Sequence, residues 1–173
     1  MRGGMAALGG LLIALLLPAG CGYNTTGRSG ANVGDIYIPF FQDQTTGERA
    51  TDLGTRITER IVDEFESDRS IRVYRAENDR PLAQKELVGI VRRFQETVLT
   101  RDPNQAGEEY RVVVTCQINY RDLANDRVIW QDSNLYGDGN YQLSEGEEGF
   151  DRALSECIKE IVDKILDKTI KAW

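Results

Sequence analysis

The segment that decides the fold is YRVVVTCQINY, residues 110–120. Tyr110, Val112, Val114, Cys116, Ile118 and Tyr120 alternate with Arg111, Val113, Thr115, Gln117 and Asn119. A strand turns successive side chains to opposite faces, so this one has an apolar face and a mostly polar one. Such a pattern belongs to an antiparallel sheet covered on one side only. Turn-forming residues flank it: Asp102-Pro103-Asn104 and Ala106-Gly107 before, Asn125-Asp126 after.

Working outward, Leu87, Gly89 and Val91 alternate as the preceding strand, but Phe94 is out of phase by one residue. A bulge near Arg92-Arg93 restores Phe94 to the apolar face. On the other side, Val128-Ile129-Trp130 opens a strand running towards Tyr136, and Gly137-Asp138-Gly139-Asn140-Tyr141 reads as a polar connection. Ile71 and Val73 mark a short strand, followed by a polar loop from Glu77 to Gln84. Residues 35–41 alternate as well. Pro39 has no N–H to give, so it sits at an edge or where that donor is not needed.

Two segments have helical period instead. Leu53, Ile57, Ile61, Val62 and Phe65 form one stripe over about 51–67. Phe150, Leu154, Cys157, Ile158, Ile161, Ile165 and Leu166 form another in a long final helix. Ser144 and Glu147 have capping-box spacing at its start, and lysines 159, 164, 168 and 171 load its end, where the helix dipole favours them. The expected class is α+β: two helices packed on one face of a mostly antiparallel mixed sheet, in the order β-α-β-β-β-β-α.

The N-terminus reads as an address. Arg2 precedes fifteen uncharged residues, Met5 to Ala19, centred on LLIALLL. A spanning helix needs about 20 apolar residues, so residues 1–20 fit a secretory signal better. Small residues then lead into Cys21-Gly22, which resembles a bacterial lipobox with Cys21 as the acylated new N-terminus, although Pro18 replaces the usual aliphatic residue three before it. Residues 21–34 follow as a lipidated, Gly-rich tether spanning about 20 Å on average. Residues 35–173 make a single domain.

Composition excludes much. The 173 residues include no histidine, which removes Ser-His-Asp and Cys-His hydrolases and His-ligated metals. Net charge is −7, and −8 without the first twenty residues (20 basic against 28 acidic). That balance opposes binding to nucleic acid, which needs clustered Lys and Arg. The glutamates at 145, 147 and 148 suit a solvated helix start better than a metal site, and no cofactor or catalytic group is expected. Cys116 and Cys157 fall on facing apolar surfaces, as two small core residues or, in an oxidising compartment, as a disulfide. Arg92, Arg93, Arg101, Arg111 and Arg121 gather on the third and fourth strands and their ends. Ordinary surface charge accounts for them, and the alternative is a positive strip for phosphate groups.

The Cys21-Gly22-Tyr23 start, the Ile36-to-Phe40 strand, the Leu53-to-Phe65 helix, Leu87-x-Gly89-x-Val91-x-x-Phe94, Val128-Ile129-Trp130 and the terminal helix come in an order that resembles the LptE family of lipopolysaccharide-assembly lipoproteins. The resemblance implies a monomeric domain at the periplasmic side of the outer membrane, within the lumen of the barrel protein LptD, assisting barrel assembly and lipopolysaccharide transfer. Of the family's functional residues only the lipidated Cys21 carries over. Arg93, Arg101 and Arg111 are then candidates for contact with lipopolysaccharide or the barrel. The alternative is a lipoprotein that activates a cell-wall synthase, against which the short tether argues.

Overall fold

In the computed structural model, residues 34–46, 49, 51–67, 71–101 and 108–171 are described. The expectations for the signal, Cys21, the tether and the turn at 102–107 lie outside them. Three long antiparallel strands form the body: β4 (Lys85–Arg101), β5 (Glu108–Asp122) and β6 (Arg127–Gln142). Three two-residue strands complete the sheet: β1 (Ile36–Tyr37), β2 (Gln42–Asp43) and β3 (Val73–Tyr74). β1 lies between β3 and β4, and β2 also pairs with β4, all of these in parallel. The sheet is therefore mixed. Helices α1 (Leu53–Glu66) and α2 (Gly146–Lys171) share one core with the apolar face. The α+β class is as expected.

The alternation at 110–120 holds residue by residue: Val112, Val114, Cys116, Ile118 and Tyr120 are each fully buried. The register also shifts between Val91 and Arg93, which returns Phe94 to the core side. There Phe94 meets Phe150 of α2 edge-on at 6.2 Å. Both helical stripes are buried as read, with Leu166 partly so.

Four details differ from expectation. The 35–41 segment is not one strand. Pro39 falls between β1 and β2, outside both ladders, and β1 is an interior strand, so the missing N–H falls where no ladder needs it. The extra strand makes the order β-β-α-β-β-β-β-α. The polar connection at 137–141 is instead the second half of β6. Its glycines are needed for packing: a Cβ on Gly137 would lie 2.2 Å from the Cys157 carbonyl oxygen, and one on Gly139 2.3 Å from that of Ala153. Polar composition there reflects close approach of α2, not a turn. The capping box is two residues earlier, with Gln142 and Glu145 in place of Ser144 and Glu147, because a 3₁₀ turn (Leu143–Glu145) precedes α2. The loop after β3 likewise contains a 3₁₀ turn, Glu77–Leu82.

The exposed edge of β6 is shielded by α2. Glu160 accepts from the Asp138 backbone N–H at 2.8 Å, and Lys164 donates to the Tyr136 carbonyl at 2.7 Å. Groups that would otherwise template another strand are thus occupied from the side.

Candidate functional site: the uncovered sheet face and its arginines

The face of β4–β5–β6 opposite the helices carries four of the arginines singled out in the sequence, at positions 92, 93, 111 and 121. Arg93 stands opposite Thr115 and is exposed, with no hydrogen-bond or ion-pair partner among the described residues. Arg92, on the bulge, donates through Nε to Gln117 at 3.1 Å and through a terminal nitrogen to Gln44 at 2.6 Å. Arg111 places Nε and a terminal nitrogen both 3.0 Å from one carboxylate oxygen of Asp138. That hydrogen bond holds its guanidinium above the usual value. Arg121 pairs with Asp126 at 2.6 Å. Arg101 closes β4 opposite Glu108, and its side chain lies outside the described residues.

The face is thus shared as the alternation implied, but the arginines do not form one cluster. Arg111 is four residues from Thr115, about 13 Å along the strand. A phosphate cannot bridge that gap. Among the described side chains, three of the guanidiniums already serve neighbours and Arg93 does not.

The two cysteines share the core but not a bond. Both are free and buried, and the Cys157 thiol donates to the Val112 carbonyl at 3.3 Å. Cys116 is four residues beyond Val112, again about 13 Å along the strand, so the candidate disulfide Cys116–Cys157 is not formed. Burial pushes both thiols up to about 12.

Two polar features escaped the sequence reading. Lys85 and Asp122 form a buried ion pair at 2.7 Å where β4 begins and β5 ends. Lys85, and then the Asn125 amide, hold the Asp122 carboxyl well below the usual carboxylate range. A groove of about 360 Å³ between the helices is lined by Arg56, Arg60, Ser155, Ile158 and Lys159. The i, i+4 spacing within each helix was the available signal; their juxtaposition was not. Arg60 and Lys159 already pair along their own helices with Glu64 and Asp163. Among the described residues no three Asp, Glu or Cys side chains converge as a metal site, and no helix is long and apolar enough to cross a membrane. Glu145 is held by Arg152, and Glu147 by Arg49.

The family comparison decides what this scaffold is. The LptE lipopolysaccharide-assembly model matches residues 33–169, from just before β1 into the last turn of α2. The chain belongs to the LptE family. The match covers every long strand and both helices, so its LptE character is a property of the whole domain and not of one motif. No curated protein matches the sequence. Among solved structures, protein XCC0632 from Xanthomonas campestris is similar in fold, with a TM-score of 0.56 at 12% identity over 84% of this chain and 89% of that one. Protein CT253 from Chlamydia trachomatis gives 0.49 at 13% identity over 80% and 98%, and a minor lipoprotein from Acinetobacter baumannii 0.44 at 9% over 78% and 90%. As an LptE-family member the chain has a lipopolysaccharide-assembly role at family level, and that family is not enzymatic.

Proposed function

We propose that the chain is exported on residues 1–20, lipidated at Cys21, and held by residues 21–34 at the periplasmic side of the outer membrane. There it partners the LptD barrel, at or within its lumen, in delivering lipopolysaccharide to the outer leaflet. The observation that carries the reading is the family match over 33–169. Two features are consistent with it. The apolar run ending at Cys21 has the length of an export signal, and the sheet leaves one long face uncovered by its own helices. On that face the Arg93 guanidinium, unpaired among the described residues, is free to meet a lipid A phosphate or a carboxylate of the barrel wall, with Arg101 and Arg111 on the same hairpin. The net charge of −7 argues against nucleic acid as a partner.

Affinity isolation of the tagged full chain from detergent-extracted envelopes tests the partnership. LptD should dominate the recovered proteins. Recovery of a penicillin-binding protein in its place would replace this reading with cell-wall synthase activation.

A further inference from the structure

One side of β4 pairs with β5 along its length; the other is only partly taken. β1 pairs with it at Lys85 and Glu86, and β2 at Ile90 and Val91, where the Gln44 N–H donates to the Val91 carbonyl at 2.9 Å. From Arg93 to Val98 no backbone group of the described residues bonds this outer side. The stretch keeps unbroken register with β5, from Arg93 opposite Thr115 to Val98 opposite Tyr110, and a bulge lies at each end. It spans about 20 Å. Residues of an antiparallel pair bond their partner alternately, so every second residue here turns its N–H and C=O outward.

An edge of this kind is a template for another strand unless it is blunted. The β6 edge is closed by α2, whereas residues 93–98 contain no proline, glycine or lysine, and the bulges lie outside them. Their side chains define what fits. Phe94, Glu96 and Val98 face the helices and are half-buried, while Arg93, Gln95 and Thr97 are exposed on the open face. Arg49 bonds the Glu96 carboxylate at 2.8 Å, so that charge is answered within the domain, and Arg93 has no partner among the described residues. An added strand continues both faces of β4. It therefore needs apolar residues beside Phe94 and Val98, alternating with polar ones and with a carboxylate beside Arg93. A second copy of the chain does not meet this need. Paired antiparallel about Gln95 it sets Phe94 against Glu96, and about Glu96 it opposes that carboxylate to its own copy.

We propose that the outer edge of β4, residues 93–98, takes up an extended segment of LptD as an additional strand. The proposal rests on the LptD reading and names the surface through which that partner is held. A closed barrel has no free strand edge, so the segment comes from a loop or a terminal stretch outside the wall. Backbone pairing supplies the affinity, and the alternation of apolar and acidic side chains sets the register.

The test is residue-resolved amide hydrogen exchange of the full chain, alone and in the LptD complex purified from envelopes. In the complex, alternate amides from 93 to 98 should slow by about tenfold or more, while the intervening ones, already bonded to β5, stay as they were. A complex with unchanged exchange over 93–98 overturns the proposal and leaves the partnership intact. Slowing of consecutive amides without alternation marks burial without pairing, and overturns it too. Alternate slowing already complete in the chain alone shows the edge filled by the chain itself, or by a second copy where it grows with protein concentration; either result overturns the proposal. Arg93→Glu should reduce the slowing by about threefold or more, and wild-type slowing in that variant overturns the carboxylate placed beside it. Absence of LptD from the wild-type preparation removes the partnership reading and this proposal with it.

Discussion

A thiol that must leave the apolar core to ionise resists losing its proton, and this sets a chemical signature for Cys116 and Cys157. Their pKa values rise from an ordinary 9.0 to about 12, and Tyr37, buried and bonded to Glu77, rises from 10.0 to about 12. The unfolded chain releases these protons first, so their contribution to stability is complete below about pH 9 and is lost as pH rises towards 12. Urea midpoints should fall across that window, and fall less in the Cys116→Ala/Cys157→Ala double variant. A thiol reagent should modify neither cysteine in native protein and both after unfolding; immediate reaction with the native chain would contradict their burial. Asp122 works in the opposite sense. Its carboxyl lies below the usual range when folded, so its contribution is present above about pH 4 and is lost as pH falls. At the surface, Arg93→Glu should leave circular dichroism and urea unfolding unchanged while weakening lipopolysaccharide binding or LptD recovery. Arg111→Glu should also leave Asp138 without its partner. If the Arg93→Glu/Arg101→Glu/Arg111→Glu variant binds as well as wild type, these residues are ordinary surface charge.

At the scale of elements, β6 and α2 depend on each other through two missing side chains. Gly137 and Gly139 let α2 lie with its Cys157 and Ala153 carbonyls against the strand. Those atoms belong to a helix backbone and cannot swing aside. Gly139→Ala should therefore cost about 3 kcal/mol in urea unfolding, at the upper end for overpacking. A change under about 0.5 kcal/mol would mean that the seam is looser than described. The bulge in β4 is the second dependency. It aims Phe94 into a ring cluster where Phe150 meets Phe94 and Tyr141 edge-on at about 6 Å, and Tyr141 stacks on Tyr110 at 5.4 Å. Deleting Arg92 would remove the extra residue and turn Phe94 to the open face. The expected loss is about 2 kcal/mol, with a weakened near-ultraviolet dichroism signal from the displaced rings.

For the whole molecule, the core runs from Ile36 to Ile165 and contains residues of every strand but β2 and β3, together with both helices. Among the described residues that cluster begins at Ile36. A fragment of residues 34–173 should fold alone and unfold in one cooperative urea transition, coincident by far-ultraviolet dichroism and tryptophan fluorescence. Separate transitions would show that the helices and the sheet are not one unit. Amide exchange should be slowest in β5, which is paired on both sides, and faster in the hairpin half of β4, whose outer edge runs beyond its short parallel partners.

Periodicity settled much of this in the sequence itself. The buried side of β5, the two helical stripes and the bulge before Phe94 were all legible, because burial follows from how each residue's side chain points relative to its neighbours. Likewise, the open face of Arg111 followed from the burial of Val112. What only the tertiary structure decided is which distant segments meet. The parallel placement of β1 and β2 on β4 depends on a chain crossing that has no local signal. So do the approach of α2 that makes a strand of Gly137-Asp138-Gly139, the pairing of Arg111 with Asp138 and of Lys85 with Asp122, and the distance along β5 that keeps the cysteines apart. The direction of a side chain is a local property of a strand or helix, whereas register between segments is fixed by the packing of the entire core.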